Sequence, residues 1–158
     1  MVNLKNLTLK DQNQGILSII LSAGELGQKE NIEVYVVGGF VRDLIMKNTI
    51  NDIDIMVVGD GIAFAEKLAS KLGIKKIVPF KKFGTAIIPN KKLPIEIATA
   101  RTETYNDKSR KPSEISHAKL NGDLLRRDFT INAIAMSLNN ESFGKIIDPL
   151  GGIKDLNK

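Results

Sequence analysis

The sequence predicts an α/β (α+β) fold in which a single mixed β-sheet is flanked by helices. Helical and strand-like stretches alternate along the first half of the chain, then give way to three consecutive strand candidates. One sheet with helices packed on it satisfies that order. At 158 residues the chain has the size of one domain and can bury a core. Its 42% hydrophobic and 26% charged residues are those of a globular domain.

The elements follow in order. Asp11 to Gln28 carries Ile16, Ile19, Ile20, Ala23 and Leu26 on one side, an amphipathic helix within an N-terminal helical segment of residues 1–30. Glu33 to Val37 is β-branched and aromatic, a short strand ending at Gly38-Gly39, and Phe40 to Met46 reads as a helix. Asp52 to Val58 is a second strand, apolar on both faces after its two acids, hence central and covered on both sides. Asp60 is placed as the N-cap of a helix whose Ile62, Ala65, Leu68 and Leu72 recur at helical spacing, with Gly73 at its C-terminal cap. Lys75 to Val78, Gly84 to Ile88 and Leu93 to Ala98 are strand candidates separated by Pro79 and by Pro89-Asn90. Thr99 to Lys119 is polar and aperiodic, a long loop of the kind that serves function. Gly122 to Met136 returns to helical character, and Ser137 to Asn139 with Lys145 to Asp148 predicts a closing hairpin.

Composition narrows the chemistry. No cysteine occurs and His117 is the only histidine, which excludes thiolate sites and multi-histidine metal sites. Any metal is held mainly by oxygen, which points to Mg²⁺, with Mn²⁺ possible. No stretch has the pattern of a signal peptide or approaches a membrane span, so no membrane partner is expected and the cytoplasm is favoured. The net charge of +5 is concentrated, since Lys75 to Lys92 holds six lysines and no acid. A basic stripe suits RNA or a nucleoside triphosphate, and equally a solvated lysine face.

The strongest local feature is Asp52-Ile53-Asp54. Residues two apart on a strand share a face, so the two carboxylates project side by side, a conflict that a divalent cation removes. Gly38-Gly39-Phe40-Val41-Arg42-Asp43 adds a glycine turn where backbone can approach a ligand, a helix N-terminus for a phosphate, and a bidentate donor in Arg42. A tight turn with a surface Arg42–Asp43 ion pair is the plainer alternative. Together the motifs supply what phosphoryl transfer requires, a phosphate cradle beside a metal-holding acid pair.

These motifs resemble the first signature of the class II tRNA nucleotidyltransferases and bacterial poly(A) polymerases, of the DNA polymerase β-like superfamily. Arg126-Arg127-Asp128-Phe129-Thr130-Ile131-Asn132-Ala133 resembles the second signature. Phe83-Gly84-Thr85-Ala86 and Ile95 to Arg101 stand between them in the family's order, and Asp148 to Gly152 with Asp155-Leu156 resembles the end of its head domain. The resemblance spans about Val34 to Lys158 and implies a polymerase β-like nucleotidyltransferase head. It implies Asp52 and Asp54 as catalytic metal ligands. Gly38, Gly39, Arg42 and Asp43 would lie at the incoming triphosphate, and Arg127, Asp128 and Asn132 at the nucleotide's phosphates and ribose. Glu96 is either a third acid of the site or an edge-strand acid paired with a lysine. Arg101, Lys81 and Lys82 are candidates for RNA contact, Arg101 at the head of a flexible element at Thr102 to Ala118; His117 is read as exposed loop, and Arg126 as a tie between helix and sheet. The implied reaction transfers a nucleotide from CTP or ATP to the 3′-hydroxyl of RNA and releases pyrophosphate, chiefly as tRNA CCA addition or repair, with poly(A), CC- or A-addition as the alternative within the family. The implied chain is the catalytic head alone, with base-selecting neck, body and tail absent. A small-molecule nucleotidyltransferase and an inactive RNA- or nucleotide-binding module are the alternatives.

Overall fold

The computed structural model describes residues 11–91, 93–100 and 120–157. Arg101, the 102–118 segment with His117, Lys92 and residues 1–10 therefore lie outside the described residues.

Helix α1 (Asp11–Glu30) leads into strand β1 (Glu33–Val37), then α2 (Gly39–Met46), β2 (Ile53–Val58) and α3 (Gly61–Lys71). Strands β3 (Val78–Phe80), β4 (Thr85–Ile88) and β5 (Ile95–Thr99) follow, then α4 (Leu120–Leu125), β6 (Ala135–Ser137), β7 (Ile146–Ile147) and α5 (Gly152–Leu156). One seven-stranded sheet has the order β3-β4-β5-β2-β1-β6-β7. Only β2 and β5 run parallel, so the sheet is mixed, and β2 stands at its centre as the sequence predicted.

One face of the sheet is closed. Ile53, Ile55 and Val57 of β2, with Val34, Val36, Ile95, Ile97, Ala86 and Ile88, pack beneath helices and are fully buried. The helical stripe Ile16, Ile19, Ile20, Ala23 and Leu26 is buried against them, together with Phe64, Ala65 and Leu68 of α3. Gly24 lets α1 sit this close, because a Cβ there would stand 2.2 Å from the carbonyl oxygen of Leu138. The Asp60 carboxylate caps α3, accepting from the Ile62 and Ala63 amides at 3.0 Å, and Gly73 follows the helix at φ 73°.

The opposite face is only partly covered. Val37, Met56 and Ala135 pack with Leu120 and Leu124 of α4 and with Ala100, a smaller core beside which the acids lie.

Three expectations need correction. The strand expected at Lys75 to Val78 forms instead at Val78–Phe80 and contains Pro79. Strand β3 is an edge strand, where a missing N–H removes no ladder bond. The helix expected over Gly122 to Met136 stops at Leu125, and Ala135-Met136 becomes a buried strand beside β1. A four-residue apolar run fits a buried helix or a buried strand equally, and pairing with β1 decides. Asp52 lies just before β2, one residue outside the strand predicted to include it.

Candidate active site

Sheet order gathers the motifs. Strands β1 and β2 are antiparallel with Val36 opposite Ile55, so the end of β1 runs alongside the start of β2. Gly38 thereby arrives beside Asp54. On its other side β1 pairs with β6, Val37 opposite Ala135, and the Gly38 amide donates to the Ile134 carbonyl at 3.0 Å. That pairing draws in the segment preceding β6, with Arg127 and Asn132. Three sequence blocks as much as 90 residues apart meet at one end of one sheet.

Gly38 is the hub. Its φ of 65° and ψ of −131° belong to glycine's range. A Cβ there would lie 3.0 Å from Arg127 Nη1, 3.7 Å from the Asn132 carbonyl oxygen and 3.9 Å from Asp54 Oδ2. The backbone at this turn thus runs between an arginine and a carboxylate, and a side chain here would press on Arg127 and strain a positive-φ backbone.

Arg42 is held by a fork. Its Nε donates to Asp43 Oδ1 at 3.0 Å and its Nη2 to Asp43 Oδ2 at 2.9 Å, while Nη1 reaches Asn132 Oδ1 at 2.9 Å. The hydrogen bond to Asp43 raises the Arg42 pKa, and the charges of Asp43 and Asp52 raise it further, which places Asp52 within electrostatic reach of the guanidinium. The Arg42–Asp43 ion pair weighed from the sequence therefore exists, and the Asn132 contact shows that it also links the first and second signatures.

Arg127 is held similarly. Its Nε and Nη2 each donate to Asp123 Oδ2 at 3.2 Å, and its Nη1 donates to the Asn132 carbonyl at 3.2 Å. Asp123 is 2% exposed, and Arg126 binds its other oxygen at 2.6 Å. Arg126 thus ties back to its own helix rather than to the sheet. Asp123 was not singled out from the sequence, although its spacing of three and four residues before Arg126 and Arg127 is the helical ion-pair pattern. Arg126, Arg127, Asp128, Phe129 and Asn132 line an open cleft of about 360 Å³, with Asp128 exposed in it.

The acids occupy the sheet face beside this cleft. Asp54 is half-buried and Asp52 exposed. Glu96 is the register partner of Asp54 across the parallel β2–β5 pair, so the two share a face on neighbouring strands. Burial first, then the charges of Asp52 and Glu96, push the Asp54 carboxyl up to about 6, with Arg127 opposing. Strand β5 is interior rather than at an edge, and among the described residues no lysine pairs with Glu96. Lys81 and Lys82 are exposed in a short 3-10 turn after β3, far along the sheet from Gly38.

Burial and neighbouring carboxylates together disfavour the ionised form of Asp54, which favours a cation beside it, and the donors are all oxygen, as a hard divalent ion prefers. Among the described residues no three acidic or histidine side chains already enclose an ion-sized space. Two carboxylates completed by substrate phosphates and water are the way such ions are usually held.

Fold and site together define a mixed α/β domain in which two anchored arginines and a group of carboxylates meet at one end of the sheet. The chain belongs to the poly A polymerase head domain family, whose model its residues 34–158 match. It is 45% identical over 125 residues to an A-adding tRNA nucleotidyltransferase of Aquifex aeolicus, covering 79% of this chain and 15% of that protein. The fold superposes with a TM-score of 0.78 and 39% identity on the Thermotoga maritima CCA-adding enzyme complexed with tRNA_CCA, covering 98% of this chain and 34% of that one. A tRNA nucleotidyltransferase complexed with a primer tRNA and an incoming ATP analog matches at a TM-score of 0.74 and 41% identity, over 85% of this chain and 36% of that one. The chain thus spans 15% to 36% of the length of these relatives. Among the described residues no helix is long and apolar enough to cross a membrane.

Proposed function

We propose that this chain is a nucleotidyltransferase head that joins a nucleotide from ATP or CTP to the 3′-hydroxyl of RNA, releasing pyrophosphate. The observation that carries the reading is the meeting of Asp54, Gly38, Arg127 and Asn132 within a few ångströms at one sheet end. A tRNA acceptor is the specific form of the proposal, drawn from the names of the relatives, and it implies the cytoplasm.

Asp52 and Asp54 would hold the metal, Mg²⁺ by the hardness of the donors, with Glu96 as a further oxygen on the same face. Such an ion would supply Lewis-acid activation of the attacking hydroxyl and charge stabilisation at the leaving oxygen. The remaining roles fall to the chain's own groups. Gly38 and Gly39 give a triphosphate access to backbone at the start of α2, and Arg42, fixed by Asp43, offers positive charge without a search through rotamers. Arg127, anchored by Asp123, stands where charge gathers as the bond from Pα to the bridging oxygen breaks and the bond from the 3′-oxygen to Pα forms. Asp128 and the Asn132 side chain face the open cleft, where a ribose hydroxyl can be read. These contacts address phosphate and sugar, parts that all nucleotides share.

Asp54→Ala in the full-length protein tests the reading. Nucleotide addition to RNA falls by on the order of 10³-fold or more while the protein stays folded. Near-normal addition by the folded variant overturns the proposed site.

A further inference from the structure

The register of the sheet carries a second consequence. Strand pairing aligns Asp54 with Glu96, Glu96 with Ile87, and Ile87 with Val78. Paired residues on adjacent strands share a face, so this row crosses from the acids to the outer edge of the sheet on one side. The next row on the same face runs Met56, Ala98, Thr85, Phe80. At about 4.8 Å per strand, Val78 lies about 14 Å from Asp54. Stacked nucleotides recur about every 3.4 Å, so the track is long enough for the last few residues of a strand.

Chemistry changes along the track. Beyond Glu96 it carries no acid and turns apolar, with Ile87 half-buried, Val78 48% exposed and Phe80 41% exposed. Phe83, 53% exposed, follows in the turn after β3. Lysines frame these side chains. Lys75, Lys76, Lys81, Lys82 and Lys91 are all exposed, no acid interrupts residues 75–92, and the Lys82 ammonium sits 5.7 Å from the Phe83 ring centroid. Exposed aromatic rings among uncompensated lysines form the stacking-plus-phosphate surface that single-stranded nucleic acid uses.

We propose that the outer edge of the sheet, Val78, Phe80 and Phe83 with Lys81 and Lys82, is the seat of the unpaired RNA 3′ end as it approaches the acids. The inference rests on the nucleotide-addition reading and gives it the acceptor's path. Phe80 acts as a stacking platform and a positioning residue, and the two lysines neutralise backbone phosphates.

The test is steady-state kinetics of the full-length protein with a single-stranded-ended RNA acceptor. Phe80→Ala raises KM for the RNA by about five- to a hundredfold, the range for loss of one stacked base, with KM for the NTP at the wild-type value. Phe80→Trp restores the RNA KM. Lys81→Ala with Lys82→Ala weakens binding of all RNA sequences and lowers the slope of log K against log salt by about 1.4, about 0.7 for each phosphate contact to a single strand. An unchanged RNA KM in Phe80→Ala, in an enzyme that adds nucleotides normally, overturns the inference and leaves the function standing. A large fall in Tm for Phe80→Ala, with RNA and NTP KM rising alike, also overturns it, since Phe80 then covers another part of the protein. Wild-type protein that adds nothing to RNA overturns both readings.

Discussion

The two faces of the sheet come from the same strands and differ in nearly every other respect. Beneath α1 and α3, Ile53, Ile55 and Val57 are sealed in a continuous apolar core. On the other face, Asp54 alternates with them on the same strand, half-open to solvent and crowded by Asp52 and Glu96. The closed face supplies rigidity, and the open face draws on it to keep like charges at fixed positions that they would not choose themselves. Every described buried side-chain nitrogen or oxygen has a partner, so the electrostatic strain is confined to the exposed cluster.

Adjacent residues of β2 expose that division most sharply. Asp54→Ala lowers nucleotide addition by on the order of 10³-fold or more and spares the fold. Ile55→Ala, one position along and on the other face, creates a cavity in the core and costs about 2–5 kcal/mol of stability. Urea or thermal denaturation of the two variants side by side measures the contrast, and equal loss of stability would erase the distinction between the faces. A smaller effect is expected at the border. Asp123→Ala removes the buried anchor of Arg126 and Arg127, costing on the order of 1–3 kcal/mol. Nucleotide addition falls about 10- to 100-fold in that variant, by analogy with groups that orient a site residue. Normal activity in Asp123→Ala would show that Arg127 needs no orientation.

How much of this was legible in the sequence follows the range of the interaction. The Asp60 cap and Gly73 stop were readable because a cap is satisfied within three or four residues of itself. The Asp52-Ile53-Asp54 pair was readable because strand alternation is local. Ala135-Met136 reads as helix in the sequence because its identity as a strand is conferred by β1, about 100 residues earlier. The anchoring role of Asp123 is not legible locally, because its burial depends on α4 packing over Met56 and Val37. The row from Asp54 to Val78 could not be read at all, since it depends on the register of three strand pairs.

The smallest effect bears most directly on the central claim that the open face is built for a cation. The folded Asp54 carboxyl titrates at about 6 against an ordinary 3.8, so the folded state holds a proton that the unfolded chain has already released. Its contribution to stability is therefore unimpaired below about pH 4, falls as pH rises towards 6, and stays low above it. Asp54→Asn mimics the protonated form and should gain on the order of 1 kcal/mol at pH 8, a modest figure because solvent screens a half-exposed group, and little near pH 4. A bound cation offers the wild type the same relief by another route. The decisive measurement is Tm at pH 8 for wild type and Asp54→Asn, with ATP present and with Mg²⁺ or EDTA. The account predicts a higher metal-free Tm for Asp54→Asn, and a Mg²⁺-dependent rise in the wild type that the variant lacks. A variant that is less stable without metal, or that shows the full Mg²⁺-dependent rise, would contradict it.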